Sequence, residues 1–192
     1  MYMYFFMTLL SLFLLTGCTK TIDVAELPSP MTEHYLNEHM LIHYDSELQQ
    51  TKVQTLTYHV SNYLEEKRSI SVTLIADIYA ADSTYARQLN KKISYYLWIT
   101  FISAQWGEFT RAISVEGESL NVKPHFSNIR SGVYTETFSI VFTRVELNAR
   151  KKNGFDLLLL GEETTIPVRL PPLYLSTFLT RIDQIEENRQ ED

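Results

Sequence analysis

Ser69-Ile70-Ser71-Val72-Thr73-Leu74-Ile75-Ala76-Asp77-Ile78-Tyr79-Ala80 puts Ile70, Val72, Leu74, Ala76 and Ile78 on one phase, and Ser71, Thr73, Asp77 and Tyr79 on the other. A period of two marks a strand with one buried face, because successive side chains of a pleated strand point to opposite sides. Ile75 alone breaks the alternation. A strand with one apolar face buries that face in the core. It therefore sets the fold class for the residues around it.

On its N-terminal side, residues 52–60 alternate more weakly. The connection at 61–68 carries Glu65-Glu66-Lys67-Arg68, a charged turn that makes the two stretches a hairpin. On its C-terminal side, residues 81–92 are polar and are expected to loop. Residues 93–106 support two readings: Ser94-Tyr95-Tyr96-Leu97 looks extended, whereas Trp98, Phe101, Ile102 and Gln105 have helical spacing. The stretch is a strand or a short helix wedged into the core, closed by Gly107. Short strands are expected at 109–115 and 119–123 about Glu116-Gly117-Glu118, then a loop at 124–132. A strand at 134–142 carries Tyr134, Phe138, Ile140 and Phe142 on its apolar side.

The last quarter is more sharply punctuated. Thr143 can cap a helical segment that ends near Asn153-Gly154, where glycine permits a left-handed exit. Residues 155–160 and 164–170 form a hairpin about Gly161-Glu162-Glu163, with Ile166, Val168 and Leu170 inward. Pro167 lies on the outer phase, lacks a ladder donor, and belongs at an edge or a bulge. Pro171-Pro172 opens a helix whose Leu175, Phe178, Leu179, Ile182 and Ile185 make a continuous apolar stripe. Near the N-terminus Thr32 can cap a short helix bearing Tyr35, Leu36 and Met40 on one side, with His39 beside them. The fold class expected is mainly β (α+β): a single β-sandwich-like domain of short antiparallel strands with a C-terminal amphipathic helix.

The chain begins differently. An uncharged apolar run over residues 4–15 is too short to span a bilayer, which takes about 20 residues, and has the length of a signal-peptide apolar region. It ends in Leu15-Thr16-Gly17-Cys18, with the only cysteine of the 192 residues. These four positions resemble the lipobox of bacterial lipoproteins. The resemblance implies cleavage before Cys18, a diacylglyceryl group on its sulfur and an acyl chain on the new amino group. Two or more acyl chains hold a protein stably on a membrane. Thr19 in place of Asp after the cysteine implies, again by resemblance, the inner leaflet of an outer membrane, facing the periplasm. Met1 to Phe6 departs from a secretory signal in carrying no Lys or Arg. Residues 18–31, with Pro28-Ser29-Pro30, read as a tether, 32–186 as one β-rich domain and 187–192 as a polar tail. Residues 134–182, with Leu170-Pro171-Pro172-Leu173-Tyr174, also resemble a group of uncharacterised bacterial lipoproteins of unknown function.

Seventeen basic and 23 acidic side chains leave a net charge of −6, without the clustered basic face that nucleic acid requires. The expected partners are the membrane, through lipid on Cys18, and an envelope protein; no cofactor is expected. The candidates for chemistry are few. Glu33, His34, Glu38, His39 and His43 contain an i,i+4 histidine pair suited to zinc if the segment is helical; otherwise they are a polar segment near the tether. Glu136, in phase with Phe138 and Ile140, is a general acid, a ligand contact, or one half of an ion pair with Arg130, Arg144 or Arg169. Trp98, Phe101 and Trp106 line an apolar pocket or fill the core. No G-x-S-x-G, P-loop or G-x-G-x-x-G occurs. These readings converge on a non-enzymatic binding or assembly module for an envelope protein. A small-ligand or lipid-binding module is the alternative, and a hydrolase using His34, His39 and His43 the second.

Overall fold

The alternating stretch at 69–80 is a central strand: Ile70, Val72, Leu74, Ala76 and Ile78 are buried, at 2% exposure or less. The computed structural model describes residues 31–63, 68–81, 83–89 and 92–189. The signal segment, Cys18, nearly all of the tether, the middle of the 61–68 connection and residues 190–192 lie outside the described residues.

In chain order the elements are α1 (Glu33–Glu38), β1 (Leu41–Asp45), β2 (Gln50–Gln54), β3 (Tyr58–Tyr63), β4 (Arg68–Tyr79), α2 (Thr84–Leu89), β5 (Ile93–Ser103), β6 (Arg111–Ser114), β7 (Ser119–Arg130), β8 (Val133–Phe142), α3 (Arg144–Arg150), β9 (Phe155–Leu160), β10 (Thr165–Leu170) and α4 (Pro172–Asn188). The strands form one curled antiparallel sheet in the order β1-β2-β4-β5-β8-β7-β6-β9-β10. Strand β3 continues the β2 position along β4. The expected hairpin on β4 is therefore present, broken into two strands at Thr55.

Strand β7 makes the curl. Its first residues pair with β6 (Arg111↔Asn121, Ala112↔Leu120), and from Val122 onward it pairs with β8. One long strand thus belongs to two layers, and the sheet folds over on itself as a sandwich does. Aromatic rings bridge the enclosed core, with Phe101 edge-on to Phe109 at 5.0 Å and Phe142 edge-on to Phe155 at 5.0 Å. Strand β5 settles the ambiguous stretch as extended, with Tyr95, Leu97, Ile99 and Phe101 inward.

Helix α4 closes the open side. Leu175, Phe178, Leu179 and Ile182 are fully buried, each contributing about 2 kcal/mol of apolar transfer. The helix runs alongside β4: the Tyr174 hydroxyl approaches the Val72 carbonyl at its start, and Arg189 donates to the Ile78 carbonyl at its end. Fifteen helical residues span about 22 Å and six strand residues about 20 Å, so the two ends register together. The expected α3 is present with a full capping box, in which Thr143 accepts from the Glu146 N–H and Glu146 accepts from the Thr143 N–H at 2.5 Å. Pro167 falls on β10, an end strand of the sheet, as its missing donor requires.

Two expectations are corrected. Residues 81–92 contain α2, begun by Ser83, whose hydroxyl accepts from the Ala86 N–H at 3.0 Å. Residues 124–130, expected as loop, are the second half of β7. A bulge between Pro124 and Phe126 absorbs the proline, and the tight turn Ser131-Gly132, with φ of 52° and 76°, returns the chain into β8.

Candidate interaction surface

The described candidate residues do not assemble into one site. Helix α1 begins at its Thr32 cap as expected but closes at Glu38, with His39 as its C-cap. His43 lies on β1, so the i,i+4 histidine pair does not share a helix face. Instead His34 faces Glu38 at 3.2 Å, and His39 stacks on Tyr35 at 4.1 Å with Nδ1 2.9 Å from the Tyr35 carbonyl. Among the described residues no group of three His, Cys, Asp or Glu side chains is placed to hold a metal.

The aromatic trio also separates. Phe101 points into the core at 1% exposure, while Trp98, three positions earlier, points out of the opposite face. There Trp98 stacks against His125 at 4.4 Å. His125 comes from the β7 bulge, and its Nε2 lies 2.7 Å from the Ser139 hydroxyl. Partial burial, and then the Lys123 charge, pushes the His125 imidazole below its ordinary value. Trp106 stands beyond β5, edge-on to Tyr134 at 4.7 Å.

Glu136 has a partner, but not an arginine. Its carboxylate accepts the Gly107 N–H, and the Glu108 N–H at 3.0 Å. Arg144 instead reaches Asp183 at 2.6 Å and Arg169 faces Asp156 at 3.4 Å. The carboxylate thus holds the 107–108 turn, where Glu108 has φ of 51°. This turn packs against the 161–164 turn, where a Cβ on Gly161 would run into the Gly107 carbonyl oxygen.

Two surfaces remain open. The first is β1, an end strand with no further neighbour among the described residues. Leu41, Ile42 and Tyr44 are 64%, 43% and 58% exposed, and the strand carries no Pro, Lys or bulge to blunt its edge. Beside it lies a cleft of about 440 Å³ lined by Tyr44, Ile78, Tyr79, Lys92, Glu186 and Arg189. Arg189 is held there by Thr51, whose hydroxyl oxygen accepts at 2.5 Å. The Tyr79 hydroxyl in this wall is pushed up to about 12, by burial first and then by Asp77 and Tyr96.

The second surface is the β7–β8 ribbon beyond β6. From Pro124 onward β7 has β8 on one side and no strand on the other among the described residues. Phe126, Ile129 and Val133 are 56%, 51% and 45% exposed. Pro124 hid this strand in the sequence, although Phe126, Ile129, Val133 and Tyr134 flank a serine–glycine pair as hairpin residues do. For β1 the available signal was the run Leu41-Ile42-His43-Tyr44, rich in β-forming residues but in a strand only five residues long. Comparison with protein-family models, with curated proteins and with solved structures finds no match for the chain.

Proposed function

We propose that this protein is a membrane-anchored, periplasm-facing lipoprotein, held by lipid on Cys18 at the inner leaflet of an outer membrane. In this reading the β domain is a non-enzymatic binding or assembly module for an envelope protein. The placement draws its support from Leu15-Thr16-Gly17-Cys18. The observation that carries the binding role is the free edge of β1, with three exposed apolar side chains on five residues. Such an edge accepts an extended segment by strand addition: backbone hydrogen bonds give affinity, and adjoining pockets choose the side chains. The cleft beside Tyr44 supplies a pocket of mixed charge through Lys92, Arg189 and Glu186.

A photocrosslinking side chain at Ile42, in intact membranes, tests this. The expected adduct maps to one discrete segment of one envelope protein, and the same group at the exposed Val145 on α3 gives none. Failure of Ile42 to capture an envelope protein, together with a small molecule retained through purification, transfers the case to a ligand-binding module.

A further inference from the structure

The β7–β8 ribbon differs from the rest of the molecule in shape, as a two-stranded extension with no third strand beside its outer half among the described residues. Residues 119–135 include Lys123 and Arg130 and no Asp or Glu, in a chain whose net charge is −6. Register places the apolar groups at its end on both sides. Phe126 pairs with Thr137, which pairs with Thr100, and Val133 pairs with Arg130, so Phe126, Val133 and Ile102 share the face that bears Trp98. Ile129 pairs with Tyr134, which faces the opposite way and carries the edge of Trp106.

We infer that the end of this ribbon inserts into an anionic lipid interface, as a contact separate from the acyl chains on Cys18. A protein surface covers one face of a two-stranded ribbon, whereas a bilayer surrounds its end from both sides. Cations placed among apolar side chains favour anionic headgroups. Trp106 and Tyr134, behind the tip, have the amphipathic rings that settle at a membrane–water boundary. Arg130 can lie along the ribbon with its guanidinium among the phosphates. The depth is bounded: Glu136, opposite Ser127, and Glu108, bonded to it, are the first carboxylates behind the tip. From Ser127 to the turn is about 13 Å at the rise of an antiparallel strand, enough to reach the headgroup–acyl boundary.

The inference rests on the anchored placement proposed above, since a second contact matters only for a domain already held beside a bilayer. The experiment uses the full chain, lipidated and reconstituted through Cys18, with Ile129→Cys labelled by an environment-sensitive fluorophore and Val145→Cys as the reference. Vesicles are phosphatidylcholine alone or phosphatidylcholine with phosphatidylglycerol, each with a quencher carried on lipid. The label at 129 is expected to shift to the blue and be quenched in the phosphatidylglycerol vesicles only. Combining it with Lys123→Glu and Arg130→Glu should abolish both effects while the circular dichroism stays unchanged. The label at 145 should respond to neither vesicle. Equal quenching of the 129 label in both vesicle types, or quenching in neither, overturns the inference. Failure of the anchor itself is read separately, because an unacylated Cys18 takes up a second label per chain.

Discussion

Tyr174 fastens the terminal helix to the sheet through a gap in the ladder. Its hydroxyl donates to the Leu56 carbonyl at 2.6 Å and lies 2.5 Å from the Thr55 hydroxyl, which in turn accepts the Leu74 N–H at 2.9 Å. Thr55 and Leu56 sit where β2 has ended and β3 has not begun, so the phenol completes the hydrogen bonding that the missing strand leaves open. Tyr174→Phe keeps the ring but removes the donor to the half-buried Leu56 carbonyl and the partner of the buried Thr55 hydroxyl. The expected loss is about 1–3 kcal/mol, read from the denaturant midpoint with an unchanged slope. Glu136 makes a related point about what a sequence reveals. That an in-phase carboxylate had to be partnered was legible, but its partners lie 28 and 29 positions away, on a backbone turn with no side-chain signature. The separation of Trp98 from Phe101 was hidden because both readings of 93–106 were open, and a spacing of three is one face of a helix but two faces of a strand.

At the scale of elements, the well-punctuated pieces were the legible ones. Strand β4 carried a clean period of two, α3 a cap and a closing glycine, and the β9–β10 hairpin and α4 a period together with a glycine or proline at the expected end. Strand β5 lacked that contrast, because His125 covers Trp98 on its outer side while Leu97, Ile99 and Phe101 fill the core on its inner side. Apolar and aromatic residues on both phases, Tyr96, Trp98 and Ile102 as well as Leu97, Ile99 and Phe101, erase the alternation of two. Pro124 concealed the second half of β7, since a proline in a run normally argues against a paired strand; the bulge is what accommodates it. The capping box of α3 gives a prediction at this scale. Hydrogen bonds from the Thr143 hydroxyl and backbone hold the Glu146 carboxyl below its ordinary value. Glu146 therefore contributes stability that is present above its ordinary pKa near 4.5 and is lost as the pH falls through the lowered folded-state value. Thr143→Ala should cost about 1 kcal/mol at neutral pH. The difference between variant and parent should shrink on acidification through that window, as followed by denaturant titration at several pH values. A difference that grows towards low pH contradicts the capping account.

For the whole molecule, the curl of one sheet explains both surfaces that remain open. Strand β7 leaves β6 after Asn121, so its second half and its partner β8 extend past the closed part as a free ribbon. At the other end of the strand order β1 stands with nothing beyond it among the described residues, while Pro167 blunts the opposite end. One edge offered to an extended protein segment and one cationic, apolar tip offered to lipid suit a domain that works where a membrane and its proteins meet. No helix among the described residues is long and apolar enough to cross a bilayer, and membrane attachment through Cys18 is the proposal to be tested. Mass spectrometry of the N-terminal peptide from purified membranes tests this most directly. The expected peptide begins at Cys18 and carries the mass of a diacylglyceryl group and an amide-linked acyl chain. An intact N-terminus with residues 1–17 still attached and a bare thiol at Cys18 contradicts it.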